Sequence, residues 1–322
     1  MKATQTTIMQ AIVQDTYGSP DVLELQQVDK PAPLADEVLV RVHAAAVNTA
    51  DWIALLGRPY AARLAFGLFR PKLRIPGMAM AGRVAAVGRN VTQFKPGDEV
   101  FGEVHGSYAE YACVPADRIG SKPTNLTFEQ AAAVPVAAIT ALQALRDKAR
   151  VQPGHAVLIN GASGGVGTFA IQIARALGAE VTAVCSTRNV DIARSLGADY
   201  VIDYTETDFT RSDKRFDSLL DLAGSRPLSD CMRVLAPNGV YVSSVGRLGW
   251  VLKVAVASLS ARGRIVLLTG HQTQPDLAVL RGMLESGKVK PVMDRQYTLA
   301  EAAEALRYQG QGHAQGRIVI TI

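Results

Sequence analysis

The residues best placed to do chemistry lie in one stretch, Ala156 to Ala170, which reads AVLINGASGGVGTFA. Val157, Leu158 and Ile159 read as a strand buried on both faces. Gly161, Gly164 and Gly167 punctuate the turn that follows. Val166, Ala170, Ile173, Ala174 and Leu177 then recur at helical spacing until Gly178 closes the helix. A strand that stops on glycines and feeds a helix N-terminus makes an anion site. Its free N–H groups point outward, and the helix dipole favours negative charge.

Several motifs compete for this turn. G-x-G-x-x-G is not met literally, because with Gly164 and Gly167 in its register Ala162 stands where a glycine belongs. G-x-x-x-G-x-G is met, but the short-chain dehydrogenases that use it need a Tyr-x-x-x-Lys pair, and no tyrosine here has a lysine four places on. A phosphate-binding P-loop needs Gly-Lys-Ser/Thr, and Val166-Gly167-Thr168 lacks the lysine. Gly161-Ala162-Ser163-Gly164-Gly165 also fits G-x-S-x-G, the nucleophile elbow of serine hydrolases. Asp221 with His271 or His313 completes the order Ser, Asp, His, so a hydrolase using Ser163 stays open as an alternative, as does a tight turn with no ligand. The turn's position after the first strand of its sheet favours a cofactor site over an elbow.

The chain has 322 residues, 48% hydrophobic and 20% charged, with a formal net charge of +5. It shows no long run of like charges and no interleaving of aromatic and basic residues. A weak positive field suits an anionic cofactor better than nucleic acid. Cys113, Cys185 and Cys231 form no Cys-x-x-Cys, which suggests a reduced, cytoplasmic protein. No secretory signal follows Met1, and no apolar span is long enough for a membrane helix.

Elements must position the turn. The first third reads as short strands at 11–13, 23–25, 37–42, 82–88, 99–102 and 108–114, which suggests a barrel-like β domain. From Thr127, an N-cap paired with Gln130, the period becomes helical to about Lys148. Strands then alternate with helices, at 156–160, 181–185, 199–202, 217–221, 239–243 and 264–268. That pattern is an α/β doubly wound parallel sheet. At the end of its second strand an acid for a ribose 2′-hydroxyl is missing. Ser186, Thr187 and Arg188 stand there instead, and these donors suit the 2′-phosphate of NADPH.

Asn48-Thr49-Ala50-Asp51-Trp52, Phe94 to Gly102, Gly161 to Gly167, Val201-Ile202-Asp203-Tyr204 and Gly312 to Arg317 together resemble the medium-chain dehydrogenase/reductase superfamily. The likeness is to its zinc-free quinone oxidoreductase branch, which includes the reticulon-4-interacting reductases. It implies a GroES-like β-barrel domain at 1–126, completed by 271–322, and a Rossmann NADP(H)-binding domain at 127–270. Zinc-dependent relatives carry a cysteine where Asn48 stands and Gly-His-Glu where Gly77-Met78-Ala79 stands, so no metal is expected. Without a Lewis acid, an electron-poor quinone or enone is the expected hydride acceptor.

By this resemblance Asn48 lies near the nicotinamide ribose. Ser163, Gly164, Gly165, Val166 and Gly167 cradle the pyrophosphate, Tyr204 lies near the adenine end, and His313 sits in a loop within reach of cofactor or cleft. Tyr60 is the candidate acid, although Pro59 holds the place where relatives have their tyrosine. Arg58 to Arg74, rich in arginine and apolar residues, reads as a substrate-side cover. A homodimer, no nucleic-acid partner and no membrane span are expected. The second class of function is an NADPH-binding redox-sensing or structural protein with little turnover.

Overall fold

Alternation of Val38, Val40 and Val42 sets the first strand of a barrel, and the chain builds outward from it. The computed structural model describes residues 7–244, 248–260, 264–268, 270–312 and 314–322. The chain divides into two compact units. One is Met1–Val136 with Gln272–Glu285 and Met293–Ile322; the other is Ala137–His271 with Ser286–Val292.

The first unit opens with β1 (Ile8–Gln14), β2 (Leu23–Asp29), β3 (Glu37–Val47), β4 (Ala79–Val87), β5 (Glu99–Glu103), β6 (Tyr111–Pro115) and β7 (Ile119–Ser121). The second unit supplies β8 (Ala156–Asn160), β9 (Glu180–Cys185), β10 (Tyr200–Asp203), β11 (Phe216–Asp221), β12 (Leu235–Ser243) and β13 (Ile265–Leu267). The chain returns to the first unit for β14 (Met293–Thr298) and β15 (Arg317–Thr321).

In the first unit β1 and β2 pair antiparallel, and a larger sheet runs β14-β15-β3-β4-β5-β7 with β6 also on β3. β3 is the hub. Its alternating part exposes Arg41 and buries Val38, Val40 and Val42, while Ala44, Ala45 and Ala46 continue it as a wholly buried stretch. Small side chains let β15 lie close along that stretch, with Val319 opposite Ala46 and Ile320 opposite Ala45. The C-terminal segment thus completes the barrel sheet. Val38, Val40, Val42, Met80, Val100, Val114 and Ile119 fill one core of the unit.

The second unit is a six-stranded parallel sheet in the order β10-β9-β8-β11-β12-β13. Numbered from β8, this is 3-2-1-4-5-6, the doubly wound order, whose strand direction of travel reverses between β8 and β11. Ligands bind such sheets outside the carboxyl ends of the strands at that reversal. Register puts Asn160 of β8 beside Asp221 of β11, and Asp221 beside Ser243 of β12.

One helical expectation is corrected. The run from 129 to about 148 is two helices, Phe128–Ala132 and Pro135–Leu142, followed by a π-helical stretch Gln143–Lys148. Pro135 has no N–H to donate and disfavours helix at the residue before it, so the helix restarts there. The Thr127–Gln130 capping box at its start is present. Among the described residues no helix is long and apolar enough to cross a membrane.

Candidate functional site

In the second unit the glycine turn is built as an anion cradle. Gly161 sits at φ +87°, in the left-handed region, and its N–H donates to Val184 O at 3.3 Å. Gly167 lies so close beneath the turn that a Cβ there would meet Gly161 O at 2.3 Å. Only glycine lets helix Gly165–Ala176 start this near the strand. Gly164 is its N-cap and offers no side chain to cap it. The first N–H groups of Gly165, Val166 and Gly167 therefore have the position and polarity that bind a phosphate.

Asn189, which no sequence motif marks, ties this turn to the next. Its Nδ2 donates to Ser163 Oγ at 2.9 Å and to Ser186 Oγ at 3.1 Å. Ser163 follows β8 and Ser186 follows β9, so one buried amide aligns the two hydroxyls. Because each oxygen accepts from Asn189, each hydroxyl proton is left to donate to an anion. Asn189 Oδ1 is buried with no partner among the described residues, as expected of a site that takes a further polar group. These features fit a dinucleotide.

Thr187, Arg188 and Asn189 form a short 3-10 turn after β9. Arg188 is exposed. Asp203, one strand over, accepts from Thr205 Oγ1 at 2.7 Å and Thr205 N at 2.9 Å. Hydrogen bonds from Thr187 and Thr205 hold its carboxyl below the ordinary carboxylate value. The Tyr204 N–H donates to Cys185 O at 3.0 Å, which places this exposed ring beside the end of β9.

At the reversal point Asn160 Nδ2 donates to Asp221 Oδ1 at 2.8 Å. Asp221 also accepts from Gly224 N at 2.9 Å and, through Oδ2, from the Tyr241 hydroxyl at 2.5 Å. Burial, with Asp221 beside it, raises the Tyr241 hydroxyl above its ordinary value and keeps it protonated. The hydrolase reading of these residues meets two obstacles. Asp221 is occupied by an amide and a phenol, and Ser163 is bonded to Asn189 where a nucleophile needs an imidazole. Among the described non-glycine residues only Arg150 has positive φ, so Ser163 shows no such elbow strain.

The first unit holds a buried polar cluster around Asn48. Asn48 caps helix Thr49–Leu56, and its N–H donates to Asp51 Oδ2 at 2.8 Å. Its Nδ2 donates to Asp51 Oδ2 at 3.1 Å and Ala46 O at 3.2 Å. Its Oδ1 accepts from Arg317 Nη2 at 2.6 Å. Burial pushes the Asp51 carboxyl up to about 6, against the hydrogen bonds from Asn48 and the charge of Arg317. Burial likewise lowers Arg317 to about 10, while Asp51 acts to raise it. Tyr108 is fully buried, and burial raises its hydroxyl well above the ordinary value. Asp51, three residues on, completes a capping box with Asn48, a spacing visible in the sequence, whereas nothing local marks Arg317 as a partner of Asn48.

Tyr60, in the same unit, begins the short turn Tyr60–Ala62. It is 65% exposed, with the Arg63 guanidinium 5.0 Å from its ring centre and Arg58 5.7 Å away. His313 lies outside the described residues. Among the described residues, no three His, Cys, Asp or Glu side chains are grouped to hold a metal.

Residues 34–124 match the family described as alcohol dehydrogenase GroES-like domain, and residues 196–320 match the one described as zinc-binding dehydrogenase. The chain is 34% identical to the 2-methylene-furan-3-one reductase of Solanum lycopersicum, over 94% of this chain and 76% of that one. It is 32% identical to the mitochondrial NAD(P)H oxidoreductase RTN4IP1 of Danio rerio, over 99% and 93%. Among solved structures, the quinone oxidoreductase from Coxiella burnetii superposes with a TM-score of 0.87 at 32% identity, over 98% of this chain and all of that one.

Proposed function

The chain belongs to the medium-chain dehydrogenase/reductase superfamily, and from that premise we propose a zinc-independent oxidoreductase that uses NADPH to reduce a quinone or an α,β-unsaturated carbonyl. The observation that carries this reading is the Asn189-linked pair Ser163 and Ser186, beside Arg188, with no acid at the end of β9. An acid there would bind a ribose 2′-hydroxyl and repel a 2′-phosphate. Bound NADPH would supply the hydride.

The chain's own residues then have four tasks. The N–H groups of Gly165, Val166 and Gly167 hold the diphosphate, helped by the helix dipole. Ser163 and Ser186 donate their hydroxyls, and Arg188 meets the 2′-phosphate through paired, charge-assisted hydrogen bonds. Tyr204 lies along the adenine end. Asn48 has both amide protons engaged, and its Oδ1 keeps a second acceptor position that suits a ribose hydroxyl. Tyr60 is the candidate proton donor to the reduced acceptor.

Zinc independence rests on residue types. Asn48 replaces a thiolate ligand, and Gly77-Met78-Ala79 offers no ligand side chain of the preferred kinds. The acceptor class follows from chemistry and from the relatives. A conjugated acceptor takes hydride without Lewis-acid help, and a 2-methylene-furan-3-one is itself an unsaturated ketone. Three free cysteines suit a reducing compartment such as the cytoplasm. Chelator-treated protein should oxidise NADPH with at least one member of a panel of quinones and enones. Tight NADPH binding with no turnover across the panel would favour the redox-sensing protein instead.

A further inference from the structure

The chain's excess positive charge is concentrated in one short segment. Arg58, Arg63, Arg70, Lys72 and Arg74 lie within 58–74, which contains no acid, and these five cations account for the whole net charge of +5. Arg74 pairs with Asp15 at 2.6 Å. The other four have no carboxylate at ion-pair distance among the described residues.

The same segment exposes large apolar side chains. Phe69 is 89% and Leu64 82% exposed, the two highest values among the large hydrophobics described, and Leu68 and Leu73 are exposed with them. The segment also has a held shape. Two short helical turns, Tyr60–Ala62 and Arg63–Phe66, lead to a tip closed by Lys72 N donating to Phe66 O at 2.7 Å. Gly67 at φ +119° passes so near Arg70 O that only glycine fits. The Tyr17 hydroxyl donates to Gly67 O at 2.5 Å, and the Arg63 guanidinium lies 4.5 Å from the Tyr17 ring centre. Leu68, Phe69 and Arg70 are thus presented on a fixed tip.

We propose that this tip docks the protein on an anionic lipid surface. Phe69 and Leu68 enter the headgroup boundary, while Arg70, Lys72 and Arg58 meet lipid phosphates. Exposed apolar tips flanked by cations are the composition that binds such interfaces. A second copy of the chain fits less well, because a symmetric contact would set one positive tip against another. The docking goes beyond the oxidoreductase reading and does not rest on it.

Co-sedimentation of the full chain with vesicles tests the proposal. The protein should bind phosphatidylcholine vesicles containing phosphatidylglycerol, release in high salt, and ignore phosphatidylcholine alone. Arg70→Glu with Lys72→Glu should weaken binding by roughly tenfold or more. Phe69→Ser should weaken it severalfold with the salt dependence kept. These side chains are exposed, so unchanged thermal unfolding should show that the variants remain folded. No binding to the anionic vesicles, equal binding to neutral ones, or full binding by both variants would overturn the proposal. Without vesicle binding, self-association lost in Phe69→Ser would assign the tip to a second copy. A raised KM for a water-soluble acceptor would then assign it to a substrate cover.

Discussion

Arg317 holds Asn48 across 269 residues of chain: its Nη2 donates to Asn48 Oδ1 over 2.6 Å with both side chains buried. The bond joins the start of the last barrel strand to the cap of helix Thr49–Leu56. It fixes which way the Asn48 amide points, since the oxygen must face the guanidinium and the nitrogen must face Asp51 and Ala46.

Removing that guanidinium leaves Asp51 buried without its nearby positive charge. Arg317→Met should therefore lower the unfolding free energy by about 3 kcal/mol, the scale of breaking a buried charge pair from one side. Urea unfolding checks this. A loss under about 1 kcal/mol would mean that the cluster is sustained by burial and not by the arginine.

Asp51 also sets a pH dependence. Its folded value of about 6 lies above the unfolded value of about 3.9, so the folded state binds the proton more tightly. The stability this contributes is fully present below pH about 4 and is lost as pH rises through about 6. A shift of about two units corresponds to about 3 kcal/mol. The difference in unfolding free energy between the unmodified protein and Asp51→Asn should fall by about that much from pH 4 to pH 7. A difference that is flat, or that rises with pH, would contradict the assignment.

Local patterns carried most of the fold. The β8 turn, the Thr127 cap and the alternation of the six parallel strands all lie in neighbouring residues, where spacing reports structure directly. The helix after Thr127 reads as continuous because its apolar period continues past Pro135, although that residue interrupts it. The partners within the site were harder to read. Arg317 is far from Asn48 in sequence, and its role exists only once β15 pairs with β3. Asn189 reads locally as part of an exposed turn, and only the packing of the β9 turn against the β8 turn makes it a bridge.

Asn189→Ala should free Ser163 and Ser186 together. Ser163 addresses the diphosphate that both nicotinamide cofactors share and Ser186 the 2′-phosphate, so the dissociation constants of both should rise, that of NADPH by more, roughly tenfold, for the loss of one or two hydrogen-bonded positions. Fluorescence titration measures both. A loss confined to NADPH would assign Asn189 to the 2′-phosphate instead.

Arg188→Ala should separate the cofactors. A charge-assisted hydrogen bond contributes on the order of 1.5–3 kcal/mol. NADPH binding should weaken by roughly tenfold or more, with NADH nearly unchanged. Equal loss for both would show that Arg188 supports the fold of its turn and that the 2′-phosphate has another partner.

The central claim is hydride delivery from NADPH to a conjugated acceptor with no metal. The most direct measurement is the stoichiometry of NADPH consumed to acceptor reduced, under anaerobic conditions, in protein stripped with chelator. The account predicts one NADPH oxidised per acceptor reduced by two electrons, full activity without zinc, and NADH poorer by roughly tenfold or more. Activity that disappears with the chelator and returns with zinc, or equal use of NADH, would contradict it.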